Sequence, residues 1–324
     1  MMTATLTPAP EKAPRRARAS SGASRRRDSG PLERQQSRLF WPFVAPALLV
    51  YGLLFLAPIA YAAWTSLYRW DGMGEMEWQG LKNYWILWND PNFASSIVNT
   101  LKILVIGGVI TFLCSFLLTL VLREMRAKLF ARSVLFFPNL VNAMVFGAVA
   151  GFLFSPDGPV NAVLGWVGVE TPPKWLGTDN VFTLIMATLI WTATGYYTTI
   201  IMAAVDQIPP YLYEAAELEG ASAWQRLRHV TIPLAWDVIT VCAVLWTVSS
   251  VKVFELILLF GGSNAAEPPM QTWTTAVYVY ASVFPTGSVP KLGLASAAAL
   301  VSLVMVGLFT VLLRRLMRRD PIRY

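Results

Sequence analysis

The stretch LGLASAAALVSLVMVGLFTVLL, residues 292–313, contains no charged side chain over its 22 residues. As an α-helix it would be about 33 Å long, which matches the roughly 30 Å hydrocarbon layer of a membrane. Helices suit such runs because every backbone N–H and C=O in hydrocarbon must be paired within the segment, whereas barrel strands alternate in polarity over about 10 residues. This stretch therefore predicts a transmembrane helix.

Five earlier runs share this length and apolar character, in a chain that is 55% hydrophobic and only 14% charged. They cover residues 41–67, 97–122, 134–154, 181–205 and 238–260. So much apolar surface in 324 residues must face something other than one soluble core. The predicted fold class is therefore all-α, a polytopic membrane protein with six transmembrane helices.

Lys and Arg residues concentrate at both ends of the chain and between alternate spans. Twenty lie before span one, after spans two and four, and after span six, whereas the other loops hold only Arg69, Lys82, Lys174 and Lys291. Short loops rich in Lys and Arg stay cytoplasmic, so we expect both termini in the cytoplasm. The net charge of +7 follows this distribution, and no nucleic-acid motif accompanies it, so we expect no nucleic-acid partner.

The N-terminal segment, residues 1–37, is basic and rich in Ala, Pro and Ser. It has too little apolar surface to fold alone, and we expect a disordered cytoplasmic tail. A basic segment beside a membrane span is attracted to anionic headgroups, which makes membrane lipid the expected partner of this tail. Residues 38–324 are then expected to form one transmembrane domain.

The loop between spans four and five carries the polar sequence YEAAELEGASAWQRLRHVTIPL, residues 213–234. Pro209 and Pro210 end the helical pattern of span four, because proline removes a backbone donor. The residues from Tyr211 onward favour a helix, and Gly220 stands where helices commonly end in a left-handed residue. The pattern predicts a short cytoplasmic helix that ends at a glycine bend.

A second short helix is predicted directly after this bend. Ser222 followed by Gln225 three residues later forms a capping-box pattern. Trp224 and Leu227 would share one apolar face at helical spacing, and Pro233 would end the helix before span five. Two cytoplasmic helices are therefore expected over about residues 209–233, the segment called here the coupling loop.

The first predicted helix of the coupling loop resembles a docking element. Ala215 and Ala216 leave little side-chain bulk, so another surface can approach the backbone closely. The alternative is a helical pair that lies on the membrane. Glu214, Glu217 and Glu219 disfavour that alternative, because an acidic helix without a base matches an anionic leaflet poorly.

The coupling loop resembles the EAA loop of permease subunits in bacterial binding-protein-dependent ABC importers. The resemblance is carried by residues 213–216, Gly220–Ala221 and Ile232–Pro233 at this spacing. Three other segments, NYWILWNDPNFASSIVNTL (83–101), FSPDGPVNAVLGWVG (154–168) and VKVFELILLFGG (251–262), are similar to parts of maltose-type sugar permeases. Glu219 stands where that family usually has Asp.

This resemblance implies an ABC importer type I permease fold in a bacterial inner membrane. It also implies four kinds of partner: a second homologous permease subunit, an ATP-binding cassette ATPase dimer, an extracytoplasmic solute-binding protein, and membrane lipid. The chain has no G-x-x-x-x-G-K-[ST] phosphate loop, so ATP and Mg²⁺ would bind the partner ATPase. We expect a transport subunit that is not itself an enzyme, with a sugar or related solute as cargo and with no cofactor or metal on this chain.

The resemblance also assigns the residues that would couple the permease to its ATPase. They are Tyr213, Glu214, Ala215, Ala216, Gly220, Ala221, Trp224 and Leu227. Among them Glu214 would supply a charged contact, Gly220 the bend, and the Trp224 face an apolar anchor. Coupling needs a stiff element joined to the bundle, because a floppy loop would dissipate the movement.

Polar and aromatic side chains inside spans four and five are the candidates for the substrate path. The expected set is Trp191, Thr192, Tyr196, Ser249, Ser250, Lys252 and Glu255. Aromatic rings stack on sugar faces, and hydroxyls and charges form hydrogen bonds. The alternatives are polar contacts between helices for Ser and Thr, plain packing for the aromatics, and a structural ion pair between Lys252 and Glu255 at i, i+3.

A competing hypothesis is an ion-coupled secondary transporter. Such proteins keep ionisable residues at mid-membrane and use repeats with broken helices, and neither is evident in this sequence. The single histidine, His229, has no companion at metal-ligand spacing, and Cys114 and Cys242 lie inside apolar runs. These residues predict neither a metal site nor a disulfide framework.

Overall fold

The structure is a computed structural model that describes residues 31–261 and 268–318, without the side chains of residues 31–40, 124 and 261. Most of the expected disordered tail therefore lies outside the described residues. Its last seven residues belong to helix α1 (Pro31–Tyr51), so the helix begins earlier than the composition predicts. The chain divides after Leu56 into two compact units.

The first unit contains α1 and a π-helical turn, Gly52–Leu56. All other described helices and strands belong to the second unit. The longer helices are α2 (Ala57–Thr65), α4 (Pro91–Lys102), α5 (Gly108–Glu124), α6 (Lys128–Leu140), α7 (Ala143–Leu153), α9 (Val181–Val205), α13 (Trp236–Val251), α15 (Thr275–Val283) and α16 (Leu292–Met317). The shorter ones are α3 (Lys82–Asn89), α8 (Pro159–Trp166), α10 (Pro210–Leu218), α11 (Ala223–Arg226), α12 (Ile232–Leu234) and α14 (Glu255–Gly261).

Two π-helical turns and a small hairpin complete the second unit. The π-helical turns are Ile103–Gly107, between α4 and α5, and Leu227–Thr231, between α11 and α12. Strands β1 (Tyr68–Arg69) and β2 (Glu77–Trp78) pair antiparallel, and Met270–Thr272 forms a 3₁₀ turn.

Among the described residues, four helices are long and apolar enough to cross a membrane: Trp41–Thr65, Pro91–Arg123, Val181–Val205 and Leu292–Met317. Two helix pairs pass the same test only when taken together and are bent, α6 with α7 at 92° and Ala223–Leu234 with α13 at 77°. The described residues thus hold four candidate spans, or six if each bent pair counts as one, and the all-α polytopic fold is confirmed. The cytoplasmic placement of the termini stays a prediction.

Two spans that the sequence predicts as continuous are broken. The run 134–154 breaks between α6 and α7, where the Asn142 Oδ1 accepts a hydrogen bond from the backbone N–H of Met144 at 2.8 Å and begins a new helix. The run 238–260 breaks at residues 252–254, where the Thr274 hydroxyl donates to the carbonyl of Val253 at 2.7 Å. These partners satisfy backbone groups that continuous helices would have paired internally.

Helix α9 lies at the centre of the second unit. One buried cluster near its start includes Val181 and Ile185 and packs with residues of α14, α15 and α16. A second cluster towards its other end joins Ile201 and Val205 to Ile103 and Trp246. Because α9 bridges both clusters, it positions the side chains of the neighbouring spans that face it.

Candidate transport pathway and coupling site

The bend of the coupling loop is a helix C-terminus built by local chemistry. Gly220 has φ +75°, a left-handed conformation that glycine adopts without cost. Its N–H donates to the carbonyl of Glu217 at 2.9 Å, and the N–H of Ala221 donates to the carbonyl of Ala216 at 2.9 Å. This pair of bonds is the Schellman motif, which ends α10 and turns the chain. The bend predicted from the sequence is confirmed.

The second helix of the coupling loop begins as predicted but ends later. Ser222 and Gln225 form the reciprocal capping box, with bonds of 2.7 and 3.3 Å. The helix then continues through the π-helical turn and past Pro233 to Leu234, and it bends only at Ala235. Pro233 therefore lies one residue before the end of this helix, not at its last position.

The expected coupling residues divide into exposed and buried sets. Glu214, Ala215, Gly220 and Trp224 are exposed, Ala216 and Ala221 are half-buried, and Tyr213 and Leu227 are buried. Trp224 is 61% exposed but Leu227 only 2%, so Leu227 is packed inside this chain while Trp224 is accessible, and a shared apolar face stays a prediction. Leu218, which sequence reasoning did not select, is 91% exposed at the end of α10.

The buried Tyr213 holds the two helices of the coupling loop together. Its hydroxyl lies 3.1 Å from the hydroxyl of Thr231, which is itself buried. An ion pair between Arg226 and Glu217, 3.5 Å apart, adds a second link between the helices. The coupling loop is therefore internally braced, as a stiff mechanical element would need to be.

Basic residues at the same end of the bundle make specific contacts. Lys128 and Arg132 of α6 each lie 3.4 Å from a carboxylate oxygen of Asp206, directly after α9. Arg132 also donates to the carbonyl of Thr199 at 2.9 Å. Sequence reasoning counted these bases only as topology signals, because nothing in a single sequence indicates which acid they meet.

A cavity of about 560 Å³ lies among α6, α7, α9, α13 and α14. Six of the seven expected pathway residues line it: Thr192, Tyr196, Ser249, Ser250, Lys252 and Glu255. The volume lies within the range of roughly 300–1,000 Å³ that small-molecule sites occupy. Two distant segments of sequence therefore contribute to one cavity.

Both helix breaks adjoin this cavity. Asn139 and Ala143 line it from either side of the break between α6 and α7, and Lys252 and Glu255 line it from either side of the other break. Broken helices in transporters occur where irregular backbone lines a cavity, because hydrocarbon cannot satisfy its polar groups. The breaks therefore mark the polar interior of the bundle.

Lys252 and Glu255 do not form the structural ion pair that their i, i+3 spacing offered. Lys252 caps α13 and Glu255 begins α14, so they do not share one helix face. Both are exposed in this chain, and no ion pair joins them among the described residues. Their charges offset each other, and no other charged residue in the described part of the chain lines the cavity.

Trp191 is the one expected pathway residue that does not line the cavity. Its ring packs edge-on against Phe146 at 5.5 Å. The cavity gains instead Tyr197, Trp246 and Asn139, which the list of expected pathway residues omits. Trp246 carried no signal in the sequence beyond a place in an apolar run, whereas Asn139 stood as a polar residue inside a predicted span.

A second cavity, of about 660 Å³, lies between the hairpin, α3 and the start of α16. It contains Arg69, Lys82 and Lys291, three of the four basic residues that the charge pattern places outside the cell. In its hairpin the backbone N–H groups of Gly74 and Met73 donate to Asp71 and hold the pKa of that carboxyl below its ordinary value of 3.8. Charged side chains of both signs therefore line this cavity.

Among the residues that the structure describes, no group of three or more His, Cys, Asp or Glu side chains is arranged to hold a metal ion. The two cysteines, Cys114 and Cys242, are both free.

The sequence matches one protein family and resembles permease subunits of bacterial sugar transport systems. A model of the family described as "Binding-protein-dependent transport system inner membrane component" matches residues 114–319. The probable starch degradation products transport system permease protein AmyD of Thermoanaerobacterium thermosulfurigenes is 28% identical over 84% of this chain and 91% of its own. The lactose transport system permease protein LacF of Rhizobium radiobacter is 29% identical over the same shares of the two chains.

The fold is also similar to that of a solved transport complex. A chain of a bacterial ABC transporter involved in the import of the acidic polysaccharide alginate matches with a TM-score of 0.76 at 21% identity. The match covers 90% of this chain and 99% of the other. At 21% identity, the match shows that the two chains share the same fold.

Proposed function

Because this chain belongs to the family of binding-protein-dependent transport system inner membrane components, we propose that its cargo is an uncharged saccharide that crosses the membrane through the 560 Å³ cavity. The chain is a membrane-spanning permease subunit of an ABC importer in a bacterial inner membrane. Its role is transport, and ATP hydrolysis belongs to a partner subunit. The observation that carries the proposal is the composition of the cavity wall.

The cavity wall combines aromatic rings, hydroxyls and balanced charge. The half-buried Tyr196 presents aromatic surface, onto which the apolar face of a sugar ring can stack, and the buried rings of Tyr197 and Trp246 form the wall behind it. The side chains of Lys252 and Glu255 supply one positive and one negative group, which favour a polar solute without net charge. The relatives named for starch degradation products and lactose support a saccharide of this kind.

The cavity needs a second wall that this chain does not supply. Lys252 and Glu255, which line it, are both exposed in the single chain. Charged groups at this depth are usually paired or face a closed, water-filled path. We infer that a second, homologous permease covers this side, so that the two chains enclose the path between them.

We further infer that the coupling loop docks on the ATPase through its exposed side chains. Glu214, Leu218 and Trp224 point away from the packed interior, whereas Tyr213 and Leu227 pack within the loop. The exposed set combines one charge with two large apolar groups, a combination suited to a cleft on a protein partner. The buried pair would transmit force and would not touch the partner.

The test is purification of the tagged chain from its native membrane in mild detergent, followed by mass spectrometry and ligand screening. We expect an ATPase with a phosphate loop, a second permease and a solute-binding protein to co-purify. The binding protein is then titrated with glucose, maltose, lactose and trehalose, and with the anionic sugar glucuronate. Preference for a neutral sugar supports the proposal.

Two results would contradict it separately. Preferential binding of glucuronate would overturn the neutral cargo and leave the importer assignment standing. Absence of any ATPase after gentle cross-linking in the membrane would overturn the coupling role of residues 209–233.

A further inference from the structure

The last turn of α5 carries a contact with the coupling loop that the sequence does not indicate. The guanidinium carbon of Arg123 lies 3.4 Å from the ring centroid of Tyr213. Tyr213 is 6% exposed, so the guanidinium covers one face of an otherwise enclosed ring. A cation over an aromatic face at this distance is attracted by the ring quadrupole, and an arginine plane also stacks well. The contact joins span two to the first helix of the coupling loop.

The same ring continues the connection into the second helix of the coupling loop. The Tyr213 hydroxyl lies 3.1 Å from that of Thr231, and the Thr231 hydroxyl donates to the carbonyl of Arg226 at 3.4 Å. Thr231 lies at the end of the π-helical turn that leads into α12 and α13. Arg123 is therefore held against the point where both helices of the loop meet.

The other end of α5 contacts the transport cavity. The indole N–H of Trp246, which lines the cavity, donates to the carbonyl of Leu104 at 2.9 Å. Leu104 lies in the π-helical turn before α5, and a Cβ on Gly108 would come within 2.6 Å of the Trp246 indole nitrogen. The 20 residues from Leu104 to Arg123 span about 28 Å of helix. Span two thus touches the coupling loop at one end and the cavity wall at the other.

We propose that Arg123 is a positioning residue that ties the coupling loop to span two, so that span two carries the movement of the loop to the cavity. This inference rests on the proposed function. Span two is helical without a break from the π-helical turn to Arg123 and packs along α9, so it moves as one unit. Its contacts at both ends let it carry movement from the coupling loop to the cavity. Without the guanidinium, the loop can move while span two stays behind.

The experiment measures how ATP changes access to the cavity. Ser249→Cys, which lines the cavity, is introduced after Cys114 and Cys242 are replaced by Ala. Right-side-out membrane vesicles of the whole importer are prepared with or without enclosed ATP, Mg²⁺ and vanadate. The rate of labelling by an impermeant maleimide is then compared between the two states. ATP hydrolysis by the purified complex is measured in parallel.

For Arg123→Ala we expect the ATP-dependent change in labelling rate to fall by a factor of roughly 2 to 30, the range that such cation–π contacts span. ATP hydrolysis and subunit association should stay within about twofold, because the exposed side chains proposed to dock on the ATPase, Glu214, Leu218 and Trp224, are unchanged. Tyr213→Leu should match Arg123→Ala, and the double variant should be no worse than either single variant. Arg126→Ala, an exposed neighbour with no such contact described, is the matched control.

Three outcomes would overturn the tie. An Arg123→Ala importer with the full ATP response would show that span two follows the loop without the guanidinium. Additive effects of Arg123→Ala and Tyr213→Leu would show that the residues act separately. Loss of the ATPase subunit from the Arg123→Ala complex would assign the residue to docking. If the unmodified importer shows no ATP response, the proposed function fails and the tie fails with it.

Discussion

Replacing Gly220 with Val should disturb the bend of the coupling loop while leaving the other side chains of the loop unchanged. A Cβ built on Gly220 meets no atom within 4 Å, so an added side chain starts in open space. The cost comes from the backbone, because φ is +75° and an L-residue pays roughly 1–2 kcal/mol in the left-handed region. A β-branched side chain is still less tolerant of that region.

The expected loss of coupling follows from this cost. An increment of roughly 1–2 kcal/mol changes the ratio of two conformations by a factor of about 5 to 30. The ratio of bent to unbent loop, with and without the Schellman bonds, should fall by that factor while the spans stay folded. We therefore expect Gly220→Val to reduce uptake of the proposed neutral sugar per ATP hydrolysed by at most about 5- to 30-fold, with normal abundance in the membrane.

The assay uses proteoliposomes that contain the purified importer, its binding protein and a radiolabelled disaccharide. Gly220→Asn is the matched control, because the Asn side chain is about as large as that of Val but tolerates the left-handed region. Its uptake per ATP should lie close to that of the unmodified protein. Normal coupling in Gly220→Val, or equal damage by Val and Asn, would refute the backbone argument.

Three further predictions concern the bundle, the cavity and the hairpin. A Cβ on Gly195 would clash with the backbone carbonyl of Leu135 in α6, so Gly195→Ala should cost about 1–3 kcal/mol and lower the midpoint of thermal unfolding in detergent; Gly307→Ala, with open space, should not lower it, and equal midpoints would contradict the packing described. Glu255→Gln leaves Lys252 unbalanced, and glucuronate should then compete with the neutral sugar for uptake; unchanged rejection of glucuronate would contradict charge balance as the selecting feature. Because the pKa of Asp71 is lowered in the folded chain, its turn is stabilised above pH 3.8 and is lost only as the pH falls through that lowered value, so amide protection of the hairpin should persist at pH 5 and disappear there in Asp71→Ala, as measured by hydrogen exchange.

The helical type of the membrane spans followed from composition, because a long apolar run has few alternatives to a helix in hydrocarbon. The local structure of the coupling loop could also be predicted from the sequence, since its bend and its capping box depend on residues within five positions of one another. Local chemistry of this kind is visible in one sequence. The helix-end signals at Gly220 and Ser222 were therefore interpreted correctly.

The helix breaks were not predicted, because their causes are tertiary. The break after Lys252 lies inside an apolar run without Gly or Pro and is supported by Thr274, some twenty positions further along the chain. The break at Asn142 did carry a local signal, an N-cap residue in an apolar run, which the hydropathy pattern outweighed. Hydropathy measures whether a segment tolerates lipid, and a broken span tolerates it as well as a straight one.

The candidate site was partly predictable for the same reason. Polar residues inside apolar runs indicated the cavity, and Thr192, Tyr196 and Lys252 do line it. Residues that act through apolar or backbone contacts gave no such signal. Arg123 looked like one basic residue among several at a cytoplasmic end, and only the fold shows which ring it covers.

The most direct test of the importer mechanism is site-specific photo-cross-linking from the coupling loop in the native membrane. A photoreactive amino acid replaces Leu218, the most exposed large apolar residue of the loop, and Trp166, which is 85% exposed in a loop predicted to face outside, serves as the control position. We predict that the probe at 218 captures a protein with a phosphate-loop ATPase sequence and that the probe at 166 does not. Capture of lipid alone at 218, or of the ATPase at 166, would contradict the role of the coupling loop.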